Sequence, residues 1–290
     1  MKELTFSKII AGTMTWGVWG KNYNTPQMIE LMDCCLNNGI TTFDHADIYG
    51  DYTTEASFGN ALKESKIDRQ QIQLISKCGI QMNLQNRSNA IKHYDYTKPY
   101  IIWSVEQSLK NLQTNYLDLL LLHRPSPLMQ ADEIAEAIEI LKKDGKILDF
   151  GLSNFTPLQT GLIETKTKVS YNQIEFSLTH FEAMLNGSLD YMQTNKIIPM
   201  AWSPMGTIFK KDDERSDRIK KLATNLSIKY GEPVDVVLLA WIIKHPSNIL
   251  PVCGTADKAR ITNLIKATTL KMDQDDWFKL WQESSGVEVP

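Results

Sequence analysis

Short apolar runs alternate with amphipathic stretches along almost the whole chain. The apolar runs predict strands at Lys8–Gly12, Thr42–Asp44, Ile72–Lys77, Leu117–His123, Ile147–Ser153, Tyr171–Glu175, Ile198–Trp202 and Ile249–Val252. Between and after them, helical spacing predicts Pro26–Asn38, Thr54–Glu64, Ile101–Leu112, Ala131–Lys143, Leu158–Glu164 and Glu182–Thr194. The same spacing gives Asp217–Tyr230, Val234–His245, Ala259–Ala267 and, at the end, Gln274–Glu283. Gly39 and Asp144-Gly145 stand where helix C-caps belong. Strands that alternate with helices require right-handed crossovers and a parallel sheet, and eight such strands close into a (β/α)8 TIM barrel. A doubly wound sheet is the competing architecture. It calls for a glycine-rich phosphate loop after the first strand, and Gly12-Thr13-Met14-Thr15-Trp16-Gly17 lacks that spacing. No linker, repeat or low-complexity segment divides the chain, so residues 1–290 read as one barrel domain. The unassigned stretches Ile80–Pro99 and Pro204–Arg215 both follow strands, on the face where barrel enzymes carry their functional loops.

Composition narrows the function classes. A net charge of −3 with interspersed signs gives no footprint for nucleic acid. No apolar stretch is long enough to span a bilayer, and the first residues lack the apolar core of a signal peptide. Cys34, Cys35, Cys78 and Cys253 have neither zinc spacing nor the density of a disulfide scaffold, which fits reduced thiols and a cytoplasmic enzyme.

The chemistry gathers at strand ends. Asp44 closes the second strand and Tyr49 follows it by five residues; Lys77 ends the third and His123 the fourth. Singly, each residue has an ordinary structural explanation: a turn cap, a packing phenol, a snorkelling lysine, a strand-ending histidine. Jointly they fall at the same end of the barrel. A phenol with an ordinary pKa near 10 needs a cation beside it to give up a proton. Lys77 is expected to lower the pKa of Tyr49, Asp44 to orient Lys77, and His123 to position a carbonyl oxygen.

These segments resemble the aldo-keto reductase family, nearest in texture to its bacterial predicted-oxidoreductase branch. The resemblance is carried by Phe43-Asp44-x4-Tyr49-Gly50, Ile75-Ser76-Lys77, Leu121-Leu122-His123, Gly151-Leu152-Ser153-Asn154-Phe155, Tyr171-Asn172-Gln173 and Ala201-Trp202-Ser203-Pro204. It implies reduction of aldehydes or ketones by hydride from NADP(H), with Tyr49 as proton donor. It implies further that Ser153, Asn154 and Gln173 hold the nicotinamide carboxamide and that Trp202 stacks on the ring. Thr13, Met14, Asp44, Ser203, Pro204, Met205 and Gly206 are expected to touch the same cofactor. Gly254, Thr255, Arg260 and Asn263 are expected at the adenosine phosphate, where a guanidinium suits bidentate recognition. Two features depart from the family: Gly254 stands where some branches have lysine, and Asp257 is an acid near that phosphate, with Lys258 beside it as a compensating cation.

Trp16 and Trp19 are candidates for the substrate wall, together with His123. The family often opens with a hairpin, which only Met1–Ser7 could supply, so it is abbreviated or absent; the final predicted helix is an addition to the barrel. The expected partner is a small carbonyl compound, with no nucleic acid, membrane or metal. A dinucleotide-binding regulatory or redox-sensing subunit with slow reductase activity is the alternative. A metal-dependent hydrolase, prompted by His45-x-Asp47, lacks ligands on the first and fifth strands.

Overall fold

The computed structural model describes residues 5–85, 87 and 89–289. Eight parallel strands close into a barrel: β1 (Ile10–Gly12), β2 (Thr42–Asp44), β3 (Gln73–Cys78), β6 (Leu117–Leu122), β7 (Ile147–Ser153), β8 (Tyr171–Glu175), β9 (Ile198–Trp202) and β10 (Leu250–Cys253), with β10 returning to β1. The missing numbers are a short antiparallel hairpin, β4 (Ile80–Gln81) with β5 (His93–Tyr94), inside the stretch that sequence left unassigned.

The helices are α1 (Thr25–Asn37), a short turn α2 (Tyr49–Tyr52), α3 (Thr54–Glu64), α4 (Lys98–Leu112), α5 (Ala131–Lys143) and α6 (Pro157–Glu164). They continue as α7 (Ser188–Thr194), α8 (Glu214–Tyr230), α9 (Val234–Ile243), α10 (Lys258–Leu264) and α11 (Gln274–Ser285). Start signals fixed several boundaries. Asn24 and Gln27 form a reciprocal capping box on α1, as Thr156 and Gln159 do on α6. Asp213 accepts from the Ser216 N–H, so α8 begins three residues ahead of the predicted start. The predicted helix Glu182–Thr194 is two pieces, because Gly187 takes a left-handed φ of 80° between a turn at Glu182–Met184 and α7.

Strand alternation divides the apolar residues between two cores. Ile10, Ile75, Leu119, Leu121, Tyr171, Met200 and Val252 point into the barrel. Phe6 closes its floor, with its ring 5.0 Å from that of Tyr171. No hairpin precedes β1 among the described residues, and this single phenylalanine plugs the floor instead. The alternate residues, such as Leu120 and Leu122, pack outward against the helices. The helix α9 is apolar all round because it is covered all round: Trp241 stacks on Phe176 and on Trp277 of α11. Each of those two indole N–H groups donates to the other residue's carbonyl, which ties the added C-terminal helix to the barrel. No helix among the described residues is long and apolar enough to cross a membrane.

Candidate functional site at the carboxyl mouth of the barrel

The pleat that sends Ile75 inward sends Lys77 inward as well, two residues further toward the mouth. Register places Asp44 opposite Ile75, which brings its carboxylate alongside. The Lys77 ammonium spends its three donors within the site: 2.7 Å to Asp44 Oδ2, 2.8 Å to the His45 carbonyl and 2.9 Å to the Tyr49 hydroxyl. Gln173, from the opposite side of the barrel, donates to the other oxygen of Asp44 at 2.8 Å. Lys77 is 1 % exposed. Burial works against its charge, but Asp44 and Tyr49 outweigh it and hold the ammonium above its ordinary pKa.

The effect on Tyr49 differs from the sequence expectation. Lys77 does pull the phenol pKa down, yet burial pushes it up further, and the net value lies above 10. Tyr49 therefore carries its proton, the state a general acid needs before the reaction. The ring of His123 stands edge-on to that of Tyr49 at 6.1 Å, and its buried Nδ1 has no partner among the described residues. Burial, reinforced by Lys77 and Arg124, lowers the pKa of His123 well below the usual range, so the ring is neutral.

Backbone strain aims both side chains. Gly50, Asp51 and Tyr52 all take left-handed φ, at 59°, 55° and 69°. A side chain at Gly50 would strike Thr54 Oγ1. The Tyr52 hydroxyl, which donates to Ile80 and accepts from Met82, holds this turn against the hairpin. Arg124, next to His123, has φ 137°, a conformation that costs about 1–3 kcal/mol in a residue with a Cβ. Tyr96 clamps it by donating its hydroxyl to the Arg124 carbonyl. Tyr96 in turn lies so close over Gly79 that any Cβ there would enter its ring.

Around this cluster lies a cavity of about 1120 Å³, larger than most small-molecule sites. Its walls include Met14, Asp44, Tyr49, His123, Ser153, Asn154, Gln173, Trp202, Ser203, Pro204, Met205 and Gly206. Asn154 at φ 61° bonds Ser153 through Nδ2 and accepts the Trp202 indole N–H through Oδ1, which fixes the indole face beside the cavity. At the far end Gly254, Thr255, Arg260 and Asn263 line the same space. Asp257 caps α10 by accepting from the Arg260 N–H. Lys258 reaches away to Glu30, so it does not compensate for Asp257 at the cavity.

Two expected contacts fall outside the walls. Trp16 is fully buried between Phe43 and Phe58 and is a core residue, whereas Trp19 lines the cavity 6.2 Å from the Tyr49 ring. Thr13 is also fully buried behind the wall, its hydroxyl tying the Asp44 carbonyl to His45 Nδ1. His45 packs its ring on Phe58 at 4.4 Å, and burial drives its pKa down to about 3. Asp47 receives the Ile48 N–H and the Ser104 hydroxyl. Cys78 is buried, which pushes its thiol pKa well up. The wall residues that sequence reasoning missed include Ile48, Ile80, Met82, Lys92, Arg124, Lys210 and Asp235. The hairpin that presents Ile80, Met82 and Lys92 has two-residue strands, too short for alternation to register.

Comparison with known proteins agrees with this geometry. A family model described as the Aldo/keto reductase family matches residues 8–283. The uncharacterized oxidoreductase YcsN of Bacillus subtilis is 41 % identical over 100 % of this chain and 98 % of its own. A 6-dehydroglucose reductase of Agrobacterium fabrum is 37 % identical over 99 % of this chain and 97 % of its own. Among solved structures, an aldo-keto reductase of Klebsiella pneumoniae in complex with NADPH superposes with a TM-score of 0.77 at 24 % identity, over 95 % of this chain and 90 % of that one.

Proposed function

The chain belongs to the aldo/keto reductase family, and from that premise we propose that it reduces an aldehyde or ketone to an alcohol with NADPH. The observation that carries this reading is the hydrogen bond between the buried Lys77 ammonium and the Tyr49 hydroxyl at the wall of a cavity large enough for a dinucleotide. When bound, the nicotinamide supplies a hydride to the carbonyl carbon. Tyr49 gives its proton to the carbonyl oxygen as charge develops there, and Lys77 stabilises the phenolate left behind. Asp44, held by Gln173, keeps Lys77 charged and aimed. His123 is neutral and donates a hydrogen bond to the carbonyl oxygen.

The walls fit the cofactor. Ser153, Asn154 and Gln173 offer amide and hydroxyl groups to a carboxamide, and Trp202, locked by Asn154, offers a stacking face. Arg260 and Thr255 suit the adenosine phosphate, which favours NADP(H) over NAD(H). The NADPH-bound family structure and the relative named a 6-dehydroglucose reductase support the cofactor and the reaction type.

Tyr49→Phe tests the reading. Aldehyde-dependent NADPH oxidation should fall by at least about 10²–10⁴-fold, while NADPH binding, followed by tryptophan fluorescence, stays within about twofold. Full turnover in that variant would overturn the assignment.

A further inference from the structure

We propose that the natural substrates are carbonyl compounds bearing an anionic group, a carboxylate or a phosphate, which Arg124 and Lys92 hold beside the reacting carbonyl. The inference rests on the reductase reading for the identity of the carbonyl and deepens it.

Both residues line the cavity. Arg124 follows the His123 that faces the reacting oxygen, and its guanidinium lies 5.6 Å over the Trp202 ring. Lys92 comes from the other side: it leads into β5, whose partner strand β4 begins with Ile80, a neighbour of Tyr49 in the same apolar cluster. The two cations thus bracket the Tyr49–His123 wall. Among the described residues neither makes an ion pair, as is also true of Lys210 and Arg260 elsewhere on the wall, and of these four only Arg124 and Lys92 stand beside the hairpin and His123. Arg124 also keeps a strained backbone that Tyr96 and the Cys78 carbonyl hold from either side, the latter by accepting the His123 N–H. A conformation held by two independent ties is suited to aiming a side chain.

The chemistry of this wall separates an anion from a neutral polyol. Arginine and lysine only donate, and a sugar's hydroxyl groups need acceptors as well. The nearby carboxylates are already taken: Asp44 by Lys77 and Gln173, Asp51 by the Trp19 indole. Asp235, the other acid on the cavity wall, stands at the start of α9 beside the β10 side, away from the hairpin. On the hairpin side the rest of the wall is apolar, formed by Ile48, Ile80, Met82 and the Trp19 ring. Donors without acceptors, set in apolar surroundings, select an oxyanion.

Matched compounds test this. With NADPH, 4-carboxybenzaldehyde should show kcat/KM roughly tenfold above its methyl ester, mainly through KM, and the ratio should fall to near one in Arg124→Gln and partway in Lys92→Gln. Glyceraldehyde 3-phosphate against glyceraldehyde separates phosphate from carboxylate. A preference in either pair that Arg124→Gln abolishes and Lys92→Gln weakens supports the proposal. Equal use of acid and ester together with no phosphate preference overturns it, as does a preference that survives in both variants. Binding of benzoate against benzamide, read by tryptophan fluorescence, needs no turnover. Benzoate should bind about tenfold tighter in the wild type and equally in Arg124→Gln, and equal binding in the wild type overturns the proposal. If no aldehyde oxidises NADPH, the reductase reading fails, and the benzoate comparison still decides the anion site.

Discussion

Neighbouring residues of one strand serve two buried polar groups that solve burial in opposite ways. Lys77 faces the barrel interior and meets Asp44, so that one ammonium and one carboxylate share a dry site. Ser76, one residue earlier, faces outward and donates to Glu55 on α3, a carboxyl surrounded by Ser76, Ser108 and Asn111. Asp47, in the turn after β2, is likewise held by uncharged donors, the Ile48 N–H and the Ser104 hydroxyl. Burial raises the pKa of both acids, and Glu55 raises that of Asp47 further; their hydrogen-bond donors and the more distant cations, Arg87 for Asp47 and Lys77 for Glu55, offset this only in part. Only His45 and Ala46 separate Asp44 from Asp47 in sequence. What distinguishes them is the partner: a charge is kept where an opposite charge is buried with it, and proton uptake is favoured where only hydroxyl and amide groups are at hand.

Removing the cation should break the contrast most severely. Lys77→Met leaves Asp44 buried without its counter-charge, so the variant should lose about 3–5 kcal/mol of unfolding free energy in urea. Turnover should fall by about 10²–10⁴-fold. A second replacement, Asp44→Leu in the same chain, removes the stranded charge and should restore most of the stability but none of the activity. A Lys77→Met protein that keeps wild-type stability and turnover would show that the ion pair does neither job.

This contrast marks the limit of what the sequence discloses. All eight barrel strands were legible, because each is a compact apolar run and the crossovers leave little choice of topology. Asp44, Tyr49, Lys77 and His123 were legible as a group, because the ends of three successive strands at one barrel mouth must converge. The difference between Trp16 and Trp19 was not, since both follow β1 and only the path of the turn decides which ring enters the core. Thr13 failed for the same reason. Arg124 was hidden by its neighbour: adjacent to a histidine at a strand end, it gives no periodic signal, and its importance lies in a backbone angle. The separate fates of Asp44 and Asp47 depend on what lies across the fold, on Gln173 and Ser104, far away along the chain.

Acid should act on His45, the histidine between these two aspartates. His45 is buried neutral, with its pKa near 3 instead of 6.5. Between those values the unfolded chain binds a proton that the folded chain refuses, so stability falls as pH drops below 6.5. At pH 5 the loss from His45 is about 2 kcal/mol, from about 1.4 kcal/mol per pH unit. Asp47 and Glu55 act in the opposite sense, because their raised values favour proton uptake by the folded state. Comparing wild type with His45→Asn in urea at pH 7 and pH 5 isolates the histidine. The variant should lose about 2 kcal/mol less on acidification, and identical pH slopes would contradict a buried neutral His45.

The smallest effect is the most discriminating. Asp47→Asn keeps the shape of the side chain and removes its charge in every state. The wild-type residue is ionised in the unfolded chain at pH 7, whereas burial in the folded protein raises its pKa and resists that ionisation. Folding at neutral pH therefore works against Asp47 and not against asparagine. The variant should be as stable as the wild type at pH 7 or more stable by about 1 kcal/mol, with turnover unchanged. As pH falls below about 4, where the unfolded carboxyl is protonated too, this advantage should vanish. Asp44→Asn should show none of this behaviour, because it removes the counter-charge of Lys77 and leaves the ammonium buried alone. If Asp47→Asn instead destabilises the protein at pH 7 by several kcal/mol, as Asp44→Asn should, then Asp47 is an ionised group held by its donors, and the two aspartates are alike after all.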